Sequence, residues 1–321
     1  MDRVDEDPAK TMTINTILLT GANGDISTAI GRALGEGLPG VRLVGCDTEG
    51  EWPGLGIFEE MFVVPHADDT AYMDALRTIS SNANIDLIIP CTEPEIKRLT
   101  NEDCSGLRLL INDTKIVHCC LDKLETARWL EGLGLPVPAT QTLATATDND
   151  LPVMVKPRTG SGSRDLEVVV TPERLAVVRA ERSDSAIAQQ LLDPHEGEFT
   201  CPIFKACGEV RTLIMRRWLS GGLTGRVIVE DIPAINDVLQ TVASALPDIA
   251  AINVQLRLVD GVPMVFEINP RLSSTVMMRH LVGFSDALWW VGALAGEAPP
   301  KFSPPLGTKV FRTYGELKVT P

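Results

Sequence analysis

A chain of 321 residues is longer than one ordinary hydrophobic core organises, so its 44% hydrophobic content predicts two or three compact units that share interfaces. With 22% charged and 5% aromatic residues the composition is that of a globular protein, which excludes disorder throughout. Acidic residues outnumber basic ones 43 to 29, and a net charge of −14 sets the molecule against nucleic acid and anionic membranes, leaving only local Lys and Arg clusters to hold small anions.

The seven cysteines are scattered, odd in number and without a CxxC pair, which argues against a disulfide framework or zinc ribbon and for a reducing compartment. Residues 1–11 are polar and acidic, the reverse of a signal peptide, and no apolar run has the length of a membrane span. We therefore expect a cytoplasmic protein with a frayed tail over residues 1–11.

In chain order, Thr16-Ile17-Leu18-Leu19-Thr20 reads as a strand that opens through Gly21-Ala22-Asn23-Gly24 into a helix over 29–34. Strands follow over 41–46, ending in Asp47, and over 85–89, ending in Pro90-Cys91-Thr92-Glu93. Alternating strands and helices predict a parallel α/β sheet over residues 12–113. The Gly21/Gly24 turn followed by Asp47 has part of a dinucleotide fingerprint, but Ser27 replaces its third glycine, so a tight structural turn is the better reading.

Apolar residues at helical spacing over 121–133 stop at Gly134-Leu135-Pro136, and from residue 152 the pattern turns strand-rich. Runs over 153–156, 166–170, 187–192, 199–204, 210–215, 250–258 and 264–268 predict an α+β second half, with a last strand over 309–314 as an edge. The boundaries expected are 114–188 for a small lid subdomain and 189–321 for a C-terminal catalytic subdomain.

Two segments carry chemistry. Lys156-Pro157-Arg158-Thr159-Gly160-Ser161-Gly162-Ser163-Arg164 places a lysine at a strand end before a small-residue loop whose N–H groups can approach an anion closely, and it lacks the GK[ST] ending of a P-loop. Glu267-Ile268-Asn269-Pro270-Arg271 puts Glu267 and Asn269 two apart, on one face of a strand, as oxygen donors suited to Mg²⁺. Gln255, across the Asp260-Gly261 hairpin, is placed to complete or support that set. Arg211, Arg216 and Arg217 lie in one strand-like stretch, and Ser273 and Ser274 follow the metal segment; we take Arg216, Arg217, Ser273 and Ser274 as substrate-side candidates. His66, His118, His195 and His280 have no metal spacing.

With these segments in one chain, and Asp122-Lys123 at a helix start, the sequence resembles the ATP-grasp superfamily, in particular its carbamoyl-phosphate-synthase-like branch of carboxylate-amine ligases. The likeness runs from about residue 14 into the C-terminal region and includes Gln189-Gln190-Leu191-Leu192, Glu198-Phe199-Thr200 and Asn253-Val254-Gln255. It implies a Rossmann-like pre-ATP-grasp α/β domain followed by an α+β ATP-grasp fold. It implies that Lys123 and Lys156 contact ATP phosphates, with Arg158 beside them and the loop from Gly160 through Ser161, Gly162 and Ser163 folding over them. It implies Gln189 to Leu192 as the hinge strand beside adenine, where the family usually has a glutamate and this chain has Gln189-Gln190. Glu198 is implied as the ribose ligand, Glu267, Asn269 and Gln255 as the site of one or two Mg²⁺ ions (Mn²⁺ as a substitute), and Arg271 as the group that steadies the transferred phosphoryl. The activity implied is acyl-phosphate formation from a small carboxylate and its transfer to an amine, with no nucleic-acid or membrane partner. Bicarbonate activation and a non-catalytic ATP-binding protein are the competing readings. Relatives often form homodimers, and no feature of this sequence establishes one.

Overall fold

The computed structural model describes residues 14–50, 56–160, 165–183 and 185–313. The expected tail over 1–11, loop residues Ser161, Gly162, Ser163 and Arg164, and Tyr314 at the end of the expected last strand lie outside them.

The first unit is an α/β domain: β1 (Thr16–Thr20), α1 (Asp25–Gly37), β2 (Arg42–Asp47), β3 (Glu60–Val63), α2 (Tyr72–Asn82), β4 (Leu87–Ile89) and α3 (Glu93–Asn101). Its four strands pair in parallel in the order β3-β2-β1-β4. All five β1 residues are buried because both sheet faces are covered. Ile17 and Leu19 enter one core while Leu18 enters another, the alternation a strand imposes. The α1 helix begins earlier than the apolar pattern suggests, at Asp25.

The α4 (Thr114–Leu121) and α5 (Lys123–Gly132) helices follow, each opened by an aspartate: Asp113 accepts from Lys115 N, and Asp122 from Leu124 N and Glu125 N. A small antiparallel sheet, ordered β5-β8-β6-β7, is made of β5 (Thr140–Thr142), β6 (Val153–Pro157), β7 (Glu167–Val169) and β8 (Ala186–Gln190), with α6 (Pro172–Arg182) between the last two. The large sheet has the order β14-β13-β9-β11-β12-β15, with β10 paired to β9. Its strands are β9 (Glu198–Ala206), β10 (Glu209–Thr212), β11 (Ile214–Ser220), β12 (Leu223–Glu230), β13 (Ala250–Val259), β14 (Val262–Asn269) and the edge strand β15 (Lys309–Phe311); α7 (Pro233–Ala245), α8 (Val276–His280) and α9 (Asp286–Ala293) complete it.

The subdomain boundaries differ from those expected. The small sheet runs from Thr140 to Gln190, so residue 189 falls inside β8 rather than between units. Residues 114–132 do not join the lid, because Cys120 and Leu130 pack into the core beneath the large sheet with α7. The run over 210–215 is two strands, split at Leu213.

Parity on the large sheet decides where the site lies. Phe199, Cys201 and Ile203 of β9 face the α7 core, so Glu198, Thr200 and Pro202 face the other side. Farther along that second face, Phe204, Met215, Val227 and Ala251 share a core with Ile30 and Leu34 of α1 and with Trp290 of α9. The first domain is thereby packed onto the sheet, at the end of a polar strip.

Candidate active site

Lys156 is the most constrained charge in that strip. Val153 and Val155 of β6 fill the small-sheet core, which turns Met154 and Lys156 to the opposite face. The lysine is 5% exposed. Its Nζ donates to the carbonyl of Phe266 at 3.2 Å and lies 5.7 Å from that ring's centroid. Burial pushes its pKa down from 10.5 to about 8; Glu267 opposes the shift, and the like charges of Lys123 and Arg257 reinforce it. An ammonium has three donors, and one protein acceptor is found for it among the described residues. Such a group is suited to an incoming anion.

Lys123, at the start of α5, is brought to the same place. Its N–H donates to Arg158 O at 2.9 Å, its Nζ donates to Gly160 O at 2.5 Å, and Asp122 bridges Thr159. Gly160 takes φ +113°, a conformation closed to ordinary side chains. Arg158 differs from expectation. Its Nε donates to Asp122 at 2.7 Å and its Nη2 to Glu125 at 3.3 Å, so its guanidinium fixes the loop to α5 rather than standing free for phosphate.

Glu267 and Asn269 lie on one face of β14, as their two-residue spacing predicts. Asp260 and Gly261 both have positive φ, the geometry of a tight hairpin, and this sets a register in which Gln255 faces Glu267 and Asn253 faces Asn269. A bulge follows Gln255. Glu267 has no hydrogen bond or ion pair among the described residues. The Nδ2 atoms of Asn269 and Asn253 are buried without partners. Thr200 donates to Asn253 Oδ1 at 2.9 Å, while Gln255 Oε1 accepts from Arg217 at 2.9 Å. The Gln255 oxygen is thus already engaged by Arg217, while Glu267 and Asn269 Oδ1 accept no hydrogen bond among the described residues, which leaves these two side chains with free oxygens on one face of β14. No group of three His, Cys, Asp or Glu side chains able to hold a metal occurs among the described residues. One carboxylate and one amide suit Mg²⁺, which keeps water and phosphate oxygens in its shell, better than a metal caged wholly by protein.

Glu198 also differs from the free ribose ligand expected. Arg217 Nε donates to one carboxylate oxygen and Arg257 Nε to the other, both at 2.8 Å. Burial raises its pKa, but the two guanidiniums outweigh that and hold the carboxyl below the usual range. Arg257 also donates to Leu192 O at 2.8 Å, fixing the end of the segment expected beside adenine. At the hinge, Gln189 is buried with its amide donated to Thr140, and Gln190 is exposed with its N–H on Ala139 O. Leu191 is half-buried and Leu192 buried. In register with Gln189 and Met154 stands Val168, an exposed apolar residue on that same lid face.

Of the adjacent arginines, only Arg217 reaches the strip. Arg216 is on the other face, paired with Glu230 at 2.7 Å and stacked over Phe199, so it is withdrawn from the substrate candidates. Ser273 is buried, with its hydroxyl shared between Thr275 and Arg279, and is likewise not free for substrate. Ser274 is half-buried, and its carbonyl accepts from Arg312.

Arg271 lies at the junction with the first domain. It is 8% exposed, its Nη2 donates to Glu93 Oε1 at 2.9 Å, and its Nε is buried without a partner. Glu93 was not singled out from sequence, beyond its place after a strand. A capping box of Thr92 and Glu95 opens its helix, and Thr20 and Tyr72 donate to Glu95 to hold that helix end on β1. The Gly21 turn serves the same packing: a Cβ there would meet Thr92 Cγ2 at 2.6 Å. Asp47, the acidic residue of the partial dinucleotide pattern, accepts from Asn23 N at 2.9 Å within the turn itself.

Residues 120–275 match the family model of the ATP-grasp domain, and residues 17–108 match that of the PylC-like N-terminal domain. The chain is a PylC-like N-terminal domain joined to an ATP-grasp domain. No curated protein matches it in sequence. Among solved structures, the N5-carboxyaminoimidazole synthetase of Staphylococcus aureus complexed with ADP is 16% identical with a TM-score of 0.73, covering 90% of this chain and 80% of that one. The L-amino acid ligase of Bacillus licheniformis is 21% identical with a TM-score of 0.68, covering 88% and 75%. The biotin carboxylase of Campylobacter jejuni is 16% identical with a TM-score of 0.72, covering 91% and 73%. At these identities the likeness is one of fold. The lysine loop, the hinge and the Glu267–Asn269 pair all fall within the matched ATP-grasp domain.

Proposed function

We propose that the chain is an ATP-dependent ligase that activates a small carboxylate as an acyl phosphate and passes the acyl group to an amine, releasing ADP and phosphate. The observation that carries this is the juxtaposition of a buried, under-partnered ammonium, Lys156, with an unpaired carboxylate, Glu267, two residues from Asn269, whose Oδ1 accepts no hydrogen bond among the described residues. A cationic and an anionic group left short of partners at one place suit a ligand that brings both signs, as magnesium–ATP does. The apolar lid face at Met154 and Val168 suits the plane of a base, with Gln189 to Leu192 at its edge.

In this reading Lys156 and Lys123 hold phosphate oxygens, the Gly160 loop covers them, and Glu267 with Asn269 holds Mg²⁺, which supplies charge neutralisation on the phosphates. Arg217, through Gln255 and Glu198, orients the strip. Arg271 steadies the transferred phosphoryl group, and its pairing with Glu93 brings the first domain to the reacting carboxylate. Positioning and charge neutralisation are most of what phosphoryl transfer asks of a protein. The fold shared with N5-carboxyaminoimidazole synthetase and biotin carboxylase favours bicarbonate activation as the second reading.

Calorimetric titration with Mg·ATP tests the site. Lys156→Ala should weaken binding about 10- to 100-fold, the worth of a charged hydrogen bond; wild-type affinity in that variant would remove the lysine from the nucleotide site.

A further inference from the structure

The segment from Pro270 to Thr275 carries Arg271 and has no regular structure of its own. Three groups reach it from elsewhere: Asn112 donates to Pro270 O at 2.8 Å, Arg312 donates to Ser274 O at 2.6 Å, and Glu93 holds the Arg271 guanidinium. The other holds are internal: Val276 N donates to Ser273 O and Arg279 N to Thr275 O, both at 3.0 Å, Arg271 Nη1 donates to Leu272 O at 3.2 Å, and the Arg279 side chain adds its own bonds. Arg279 of α8 is 1% exposed and among the largest fully buried side chains. Its Nε donates to Asp286 Oδ1 at 2.8 Å and its Nη2 lies 2.7 Å from Oδ2, while its Nη1 donates to Ser273 Oγ at 2.8 Å and to Thr275 Oγ1 at 3.3 Å. Ser273 and Thr275 are also bonded to each other at 2.9 Å.

A buried ion pair is costly to desolvate and is weak evidence for stability, since apolar residues of like volume serve a core as well or better. The helices that carry the pair, α8 and α9, also carry Val276, Met278 and Trp290 of a large apolar core, a setting in which methionine and leucine would fit. What the charges add is direction. A planar guanidinium that grips Asp286 with one edge has its remaining N–H groups aimed along fixed lines, and those lines end on the two hydroxyls that follow Arg271. The α8 helix is five residues long, too short to hold the segment by backbone bonds alone.

We infer that Arg279, oriented by Asp286, is the positioning residue of the Arg271 segment: it sets where Arg271 meets the phosphoryl group in transfer and leaves ground-state Mg·ATP affinity untouched. As a statement about turnover this rests on the ligase reading above; as a statement about the segment it stands apart from it.

The test uses the full chain in two variants. Arg279→Lys keeps the charge but lacks the fork that reaches Asp286 and Ser273 together. The double variant Arg279→Met/Asp286→Leu removes both charges at similar volume and is expected to fold. Hydrogen–deuterium exchange is followed over residues 270–276, with Mg·ATP affinity measured in parallel. We expect exchange there to speed by about tenfold, the worth of one charge-assisted hydrogen bond, with large-sheet peptides and Mg·ATP affinity unchanged. Wild-type exchange over 270–276 in the folded double variant overturns the proposal. So does a loss of Mg·ATP affinity equal to the gain in exchange, because the pair would then be a general structural support. In turnover, release of ADP across amino acids and small carboxylates, singly and in pairs, should fall through a lower kcat, because Arg271 is displaced from the transferring phosphoryl group, with the ATP KM held. If the wild-type chain shows no such release, the ligase reading fails, and the exchange result still decides the positioning role.

Discussion

Replacing Lys156 by methionine separates a residue kept for ligand from one kept for folding. The drop of its pKa from 10.5 to about 8 corresponds to about 3 kcal/mol by which the folded protein disfavours the charged form. Methionine keeps most of the apolar stem and removes the charge, at the cost of the hydrogen bond to Phe266 O, worth about 1 kcal/mol. The ligand-free variant should therefore be more stable than wild type by about 2 kcal/mol at pH 7. The sign of the pH dependence follows from proton binding. Between pH 8 and 10.5 the unfolded chain holds the proton that the folded chain has lost, so wild-type stability rises with pH across that window and its deficit against the variant closes. Mg·ATP should reverse the order, since its phosphates give the ammonium a partner only in the wild-type protein. Urea unfolding at pH 7 and pH 10, with and without Mg·ATP, reads both effects. A variant less stable than wild type at pH 7, with undiminished stabilisation by Mg·ATP, would refute the assignment of Lys156 as a buried charge held for phosphate.

Glu267→Gln should abolish Mg²⁺-dependent turnover while lowering the unfolding midpoint only modestly, because the carboxylate makes no hydrogen bond or ion pair among the described residues and gives up only its charge near Lys156; activity retained at wild-type level would take it out of the metal site. Glu198→Gln leaves the Arg217 and Arg257 guanidiniums against a neutral amide, so the protein should lose about 3 kcal/mol of stability, read by urea unfolding. The depressed Glu198 pKa makes its contribution present above the ordinary carboxylate pKa and lost on acidification through the lowered one, so wild type and variant should converge in acid. Gly21→Ala places a Cβ 2.6 Å from Thr92 Cγ2 at φ +55° and should cost about 1–3 kcal/mol, with a matching rise in exchange at the start of α3; an unchanged midpoint would contradict the packing described.

The sequence made the strand end at Lys156 and the Glu267–Asn269 alternation legible because both depend on local rules, an apolar run with a clear stop and a period of two. The hairpin at Asp260-Gly261 was equally local, and it carries Gln255 to its place opposite Glu267. Parity was not local. Arg216 and Arg217 are neighbours in one strand, and which of them meets the cleft depends on β11 pairing with β9 so that Arg217 faces Glu198. The roles of Arg158 and Glu198 shifted for a related reason: their partners Asp122, Arg217 and Arg257 come from other elements, so a motif showed the residue without showing that its charge was already taken. Glu93 was hidden most deeply, since its partner Arg271 is 178 residues away. Its only local sign was an acidic residue after a buried strand. The β3, α2, α3 and β12 elements passed unnoticed because their apolar patterns are short or mixed, and tertiary packing stabilises them more than propensity does.

ADP and phosphate release from Mg·ATP, followed across amino acids and small carboxylates, singly and in pairs, with bicarbonate as a separate arm and Glu267→Gln as the control, reads the ligase activity itself. An acid–amine ligase needs a carboxylate and an amine together for release and loses it in the variant. Release driven by bicarbonate alone, or tight Mg·ATP binding with no release across the panel, would contradict that activity.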